Sequence, residues 1–148
     1  MILGVEDSYL HRIDTIGREV VDAATAAAER DDDITFPGAA CSWISAIAGE
    51  IMRDAGLGTW TLVNHYNRDG LPGHDWIVQG EIFADLSVQQ FSRRPWFDTR
   101  WSEHIVGRGE NPVTLAYPIE IKRLETRPLA EQYSRYRAAV ERELAARQ

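Results

Sequence analysis

Residues 41–91 decide the fold, and they read CSWISAIAGEIMRDAGLGTWTLVNHYNRDGLPGHDWIVQGEIFADLSVQQF. The stretch begins with the only cysteine of the chain, Cys41, and then contains His74 and Asp85 in that order. A cysteine, a histidine and an aspartate supply a nucleophile, a base and a carboxylate that orients the base, which are the three roles of nucleophilic cysteine catalysis. The sequence therefore predicts a catalytic triad of Cys41, His74 and Asp85.

The segment after Cys41 has the pattern of an amphipathic helix. Apolar residues recur at steps of three and four, and Gly56 stands where a left-handed C-terminal cap belongs. We expect a helix over 42–55 with Cys41 at its N-terminal end, where unpaired N–H groups and the helix dipole favour thiolate over thiol and can bind an oxyanion. The alternative is that Cys41 is a small buried apolar residue, as most lone cysteines are.

Two short strands are expected to carry the base and its orienting carboxylate. The ranges 74–79 and 81–86 read as strands, and Gln79-Gly80 suits a two-residue hairpin turn. In that register His74 lies directly opposite Asp85, with the Cβ atoms about 5 Å apart. A carboxylate at this distance can accept an imidazole N–H and fix its tautomer. The alternatives are a strand histidine that binds any nearby acceptor and an aspartate at a solvated strand end.

These residues resemble the core of papain-like, transglutaminase-like cysteine hydrolases. In that superfamily the cysteine starts a helix, and the histidine and aspartate lie on neighbouring antiparallel strands. The runs that carry the resemblance are Ala40-Cys41-Ser42-Trp43, Gly73-His74-Asp75-Trp76 and Ala84-Asp85-Leu86-Ser87. The run DLSVQQF over 85–91 is similar to one in small bacterial members, where Asp-Leu-Thr or Asp-Ile-Thr is followed by Gln-Phe. The resemblance implies an α+β fold in a single domain over 1–148, with the cysteine helix packed on a small antiparallel sheet.

The resemblance also implies an activity. It is that of a cysteine-dependent amide hydrolase (peptidase, amidase or deamidase) that forms a thioester acyl-enzyme on a protein or peptide substrate and needs no cofactor. Acyl transfer to an amine by the same triad and a binding module without turnover are the alternatives, and the resemblance suggests a bacterial effector as the setting. Thr35 stands six positions before Cys41, where papain-type proteases carry an oxyanion glutamine, which favours the transglutaminase-like branch. Gln89 and Gln90 are both candidates to support Asp85 or the oxyanion.

Composition sets the remaining bounds. The chain has 148 residues, of which 44% are hydrophobic and 26% charged, as in one globular domain. A net charge of −7 argues against general nucleic-acid binding. One cysteine cannot form an internal disulfide, which fits a reducing compartment. The N-terminal residues lack a signal-peptide pattern, and no apolar run approaches the ~20 residues of a membrane span. We therefore expect a cytoplasmic protein without membrane contact, although delivery by a dedicated secretion system would leave no mark in the sequence.

Elsewhere the sequence predicts two more helices and two more strands. Apolar residues at helical spacing predict helices over 7–30 and 128–147. Strand-favouring residues predict strands over 59–66 and 114–124. Pro118 places the last strand at an edge or a break of the sheet, because proline cannot donate to a central ladder.

Three further features have an ordinary interpretation beside a functional one. Asp31–Asp33 reads as a solvated loop, since the alternating ligand spacing of a calcium loop is absent. Segment 92–111 alternates arginine with aromatic residues; it can bind an anionic or planar ligand, but we expect an irregular segment whose rings pack on the core. His65, His74, Asp75 and His104 are the candidate metal ligands, but no two have the i, i+4 spacing of a helical zinc motif, so no metal site is predicted.

Overall fold

The protein is described by a computed structural model that covers residues 1–38, 40–67, 72–116, 119–125 and 133–148. For 65–67, 72, 116 and 119–125 only the backbone is described. Within these ranges the strands are β1 (Ile2–Leu3), β2 (Thr61–Asn67), β3 (Pro72–Gln79), β4 (Ile82–Asp85), β5 (Ile105–Arg108) and β6 (Ile119–Glu125). The helices are α1 (Ser8–Arg30), α2 (Cys41–Asp54), α3 (Val113–Ala116) and α4 (Ser134–Ala146), with a 3-10 turn at Val88–Phe91. The chain is therefore α+β, as predicted.

The strands form one sheet in the order β1-β5-β4-β3-β2-β6. Neighbouring strands are antiparallel except β1 and β5, which are parallel. The sheet is thus larger than the small antiparallel sheet that we expected, because β1 and β5 were not predicted. Strand β5 has only four residues, too few to show a period, and contains Gly107. A Cβ on Gly107 would lie 3.0 Å from the carbonyl oxygen of Leu3, so glycine permits β1 to approach.

Different parts of the chain pack on the two faces of the sheet. Helices α1, α2 and α4 form one apolar core with Leu62, Ile77, Ala84 and Val106 of the sheet. On the other face, side chains such as Trp76 form a second cluster with the segment that follows β4. Alternation of side chains along the strands accounts for this division. The aromatic residues of segment 92–111 pack on the second cluster, which confirms that part of the prediction; they are Trp96, Phe97 and Trp101.

Helix α2 has the boundaries that the sequence indicated, within one residue. It begins at Cys41 and ends with a Schellman motif, in which the Leu57 N–H donates to Met52 O and the Gly56 N–H donates to Arg53 O, each at 2.9 Å. Gly56 has a φ of 80°, the left-handed conformation that this motif requires. Leu57 is buried against the helical core, which fixes the end of the helix.

The hairpin register differs from the prediction by two residues. Gln79 pairs with Ile82, so the turn is Gly80-Glu81 and not Gln79-Gly80. Gly80 has a φ of 57°, which suits a turn with glycine at its first central position. His74 is therefore not directly opposite Asp85. Because side chains alternate with a period of two, a shift of two residues leaves both on the same face of the sheet.

Three other expectations need correction or fall outside the described residues. Residues 114–116 are not strand: Val113 N–H donates to Asn111 Oδ1 at 3.1 Å and Thr114 N–H to Asn111 O at 3.0 Å, and this turn starts α3. Strand β6 does lie at an edge of the sheet, as predicted, while Pro118 is outside the described residues. The last helix is described from Ser134, so residues 128–132 of the prediction are not described.

The acidic run after α1 is more than a solvated loop. Arg135 at the start of α4 forms ion pairs with Asp31 at 3.3 Å and with Asp33 at 2.9 Å. These contacts tie α4 to the end of α1. No helix in the described part of the chain is both long and apolar enough to cross a membrane.

Candidate active site

Cys41 is the first residue of α2 and is half-exposed. The N-cap residue is Ala40, whose side chain cannot accept a hydrogen bond, so it does not compete for the N–H groups of the first turn. The first intrahelical bond runs from Ile44 N–H to Ala40 O at 3.0 Å. The thiol therefore lies at the N-terminal end of a 14-residue helix, as the sequence predicted.

His74 and Asp85 form a buried pair. His74 Nε2 lies 2.5 Å from Asp85 Oδ2, and both side chains are 0% exposed. Their diagonal positions across β3 and β4 suffice for this contact, because long side chains reach a diagonal neighbour on the same face. The structure thus brings together the two residues that the sequence paired, by a register other than the predicted one.

The carboxylate of Asp85 has two further donors. The Ser87 N–H donates to Oδ1 at 3.1 Å, and Asn111 Nδ2 donates to Oδ2 at 2.9 Å. The orientation of the Asn111 amide is fixed, since its oxygen accepts the Val113 N–H. Asn111 was not predicted. It reaches Asp85 because the chain turns back after β5, and the sequence marks this only as an Asn-Pro loop.

The other edge of the His74 ring meets Gln90. Gln90 Nε2 lies 2.9 Å from His74 Nδ1, whereas Gln89 Nε2 donates to Ser102 O at 3.0 Å. Gln90 therefore contacts the base His74 and not Asp85, and a role of either glutamine at the oxyanion stays a prediction. The rings of Phe91 and Trp76 pack on the imidazole, with centroid distances of 4.9 and 5.5 Å. These contacts leave the ring little freedom to rotate.

The surroundings of His74 favour its protonated form. Burial lowers the pKa of His74, but the charge of Asp85 and its hydrogen bond more than offset this, and the hydrogen bond and charge of Cys41 add to them. The net effect raises the pKa of His74 to about 10. A protonated imidazole beside a cysteine stabilises its thiolate.

A second pair of side chains joins the helix to the strand beside this site. The Ser42 hydroxyl donates to Asp75 Oδ2, and the Ser45 hydroxyl donates to Asp75 O at 3.3 Å. Ser42 follows Cys41 in the chain and Asp75 follows His74. The bonds therefore hold the start of α2, which carries Cys41, against β3, which carries His74.

Replacing Ser42 with alanine should slow the alkylation of Cys41 by iodoacetamide at neutral pH by about tenfold, since small displacements of reacting groups have effects of this order or larger. Alkylation followed by mass spectrometry measures the rate. Ser8→Ala, an exposed serine at the start of α1, is the control and should react at the native rate. Equal rates in Ser42→Ala and Ser8→Ala would show that the bond does not position Cys41.

The stability of the fold should depend on pH through His74. The pKa of His74 in the folded chain, about 10, is above its ordinary value of 6.5, so its contribution is complete below pH 6.5 and is lost as pH rises from 6.5 towards 10. The unfolding free energy of the native chain, relative to that of His74→Gln, should fall across this window in urea titrations. His11→Gln, which replaces an exposed histidine, is the control. A difference between native and His74→Gln that stays constant from pH 6.5 to 10 would contradict the assignment.

The histidines do not assemble a metal site in the described residues. His104 lies away from His74 and pairs with Asp14, Nε2 to Oδ1 at 2.8 Å. Among the side chains that the structure describes, no three of histidine, cysteine, aspartate or glutamate are grouped so that they could hold a metal ion. The side chain of His65 is outside that description.

Comparisons with known proteins identify no relative of the chain. Neither a family model, nor a curated protein, nor a solved structure matches it.

Proposed function

We propose that the chain is a cysteine-dependent amide hydrolase with Cys41 as nucleophile, His74 as base and Asp85 as the orienting carboxylate. One observation carries the proposal: a buried histidine binds a buried aspartate through Nε2, at 2.5 Å, and the cysteine that begins α2 is near enough to raise the pKa of that histidine. Cysteine catalysis requires a base beside the nucleophile and a group that orients the base. With the helices on one face of the sheet, these relations support a papain-like, transglutaminase-like core.

The proposed reaction has two halves. The proton of Cys41 rests on His74 Nδ1, since the raised pKa of His74 favours the protonated ring, and the thiolate attacks the carbonyl carbon of an amide. The Cys41 N–H, at the start of α2, donates to the oxyanion that forms. His74 Nδ1–H then protonates the leaving nitrogen, which departs and leaves a thioester on Cys41. In the second half a water molecule gives a proton to His74 and attacks the thioester; the carboxylic acid departs, and Cys41 is released as the thiolate beside protonated His74.

Of the three proposed catalytic side chains, only Cys41 is partly exposed, whereas those of His74 and Asp85 are fully buried. A substrate carbonyl therefore reaches the triad from the side of Cys41. A protein or peptide is proposed as the substrate because of the resemblance of residues 41–91 to the papain-like, transglutaminase-like superfamily.

The test is turnover of an activated acyl substrate, p-nitrophenyl acetate, by the native chain and by Cys41→Ser. The proposal predicts a burst of p-nitrophenolate equal to the amount of protein, an acetyl group on Cys41 in the mass spectrum, and then steady turnover. Cys41→Ser should show neither burst nor turnover. Acetylation of native Cys41 without any turnover would overturn the proposal and favour a binding module.

A primary amine added to the same reaction separates hydrolysis from acyl transfer. If water resolves the acyl-enzyme, the product is acetate and the amine leaves its yield unchanged. If the chain is an acyltransferase with the same triad, the acetyl group moves to the amine and the yield of acetate falls as the amine concentration rises. The second outcome would replace hydrolysis by transfer while leaving the triad in place.

A further inference from the structure

Gln90 contacts the nitrogen of His74 that is not bound to Asp85. Nε2 of the ring is bound to Asp85, and the proposed reaction assigns Nδ1 to the proton transfers. Gln90 Nε2 lies 2.9 Å from this Nδ1. The same amide nitrogen lies 3.3 Å from Ser87 Oγ, so it has two partners. Gln90 is half-buried in the 3-10 turn Val88–Phe91, beside the ring.

A carboxamide suits a nitrogen that changes its protonation. Its NH2 end donates to an unprotonated Nδ1, and its C=O end accepts from a protonated one. The hydroxyl of Ser87 can accept or donate, so it can bind either end of the Gln90 amide. In the proposed reaction Nδ1 gives a proton to the leaving nitrogen and later gains one from water. A neighbour that only donates or only accepts would oppose one of these two steps.

We propose that Gln90 is a positioning residue that keeps His74 turned towards Cys41 through both proton transfers, by presenting the oxygen or the nitrogen of its carboxamide to Nδ1. The inference rests on the proposed function, because it concerns the base of that reaction. In the structure the nitrogen of Gln90 faces Nδ1, which suits the unprotonated ring, and the oxygen would face Nδ1–H of the protonated ring.

The test compares position 90 with position 89. Gln90→Met fills similar space without a hydrogen bond to the ring, and Gln90→Lys can only donate. Gln89→Met and Gln89→Lys are matched controls, since the amide of Gln89 binds Ser102 O and not the ring. Two quantities are measured: turnover of p-nitrophenyl acetate, and the pH at which the His74 ring loses its proton, from its nitrogen resonances. Circular dichroism confirms that each variant is folded.

We expect Gln90→Met to lower turnover by about tenfold, a part of the 10² to 10⁴ that general acid–base catalysis contributes. Gln90→Lys should lower the pH of ring deprotonation by about one unit, because a cationic donor at Nδ1 opposes the protonated ring. Both Gln89 variants should stay close to the native chain. The inference is overturned if Gln90→Met hydrolyses p-nitrophenyl acetate at the rate of Gln89→Met. It is also overturned if the His74 ring loses its proton at the same pH in Gln90→Lys as in Gln89→Lys.

The outcome for Gln90 is separable from that for the proposed function. A native chain with turnover, whose variants at positions 90 and 89 coincide, would overturn the role of Gln90 alone. A native chain without turnover would overturn the proposed function. The titration of His74 would in that case still show whether Gln90 acts on the ring, because it does not depend on a substrate.

Discussion

Replacing Asp85 with alanine should lower the free energy of unfolding by about 3 to 5 kcal/mol, the loss typical when one partner of a buried ion pair is removed. The carboxylate is fully buried and accepts hydrogen bonds from His74 Nε2, Asn111 Nδ2 and the Ser87 N–H. Alanine leaves these three donors without their acceptor and leaves His74 without the charge that favours its protonated form. Urea denaturation at neutral pH measures the change.

Two other variants give this experiment its controls. Asp54→Ala removes a carboxylate that pairs with Arg137 at the surface, and it should cost much less, because exposed ion pairs contribute little to stability. Asp85→Asn keeps the shape of the side chain but not its charge, so it should fold better than Asp85→Ala while still losing turnover. If Asp85→Ala were as stable as Asp54→Ala, the buried pair with His74 would not exist in the folded chain.

Replacing His74 with alanine should lower the turnover of p-nitrophenyl acetate by about 10² to 10⁴, the range that general acid–base catalysis contributes. The variant retains Cys41 but lacks the imidazole that protonates the leaving group and activates water. The initial rate of p-nitrophenolate release measures the loss after correction for the spontaneous hydrolysis of the ester.

His104→Ala is the matched control for the loss of a buried histidine. His104 is also buried and also binds an aspartate, Asp14, but it lies outside the site. The folded His104→Ala variant should hydrolyse p-nitrophenyl acetate at close to the native rate. Imidazole added to His74→Ala should restore part of the lost rate by entering the space that the side chain vacated. Equal losses in His74→Ala and His104→Ala, with no recovery in imidazole, would mean that folding and not catalysis was affected.

The parts of the fold that depend on local sequence were predictable. The periodicity after Cys41 and the glycine at position 56 define α2 without reference to any distant residue. The pairing of His74 with Asp85 was predicted from a turn that is in fact displaced, and it survives because an error of two residues does not change the face of a strand. A register error of one residue would have placed the two side chains on opposite faces.

The parts that were missed depend on contacts between distant segments. Asn111 is 26 positions from Asp85 and reaches it only because β5 lies beside β4 and the chain then turns back. Strand β1 has two residues and exists by pairing with β5. The choice between Gln89 and Gln90 depends on the direction in which each side chain leaves the 3-10 turn, which residue type and spacing do not determine.

The most direct test of the triad is the rate of Cys41 alkylation by iodoacetamide as a function of pH, in the native chain and in His74→Ala. Cys41 is the only cysteine, so the reaction reports on one site. Native Cys41 should react markedly faster near neutral pH than Cys41 of His74→Ala, because a protonated His74 stabilises the reactive thiolate. A native chain that reacts as an ordinary thiol with or without His74, or that reacts only after unfolding, would contradict the assignment of Cys41 as a nucleophile.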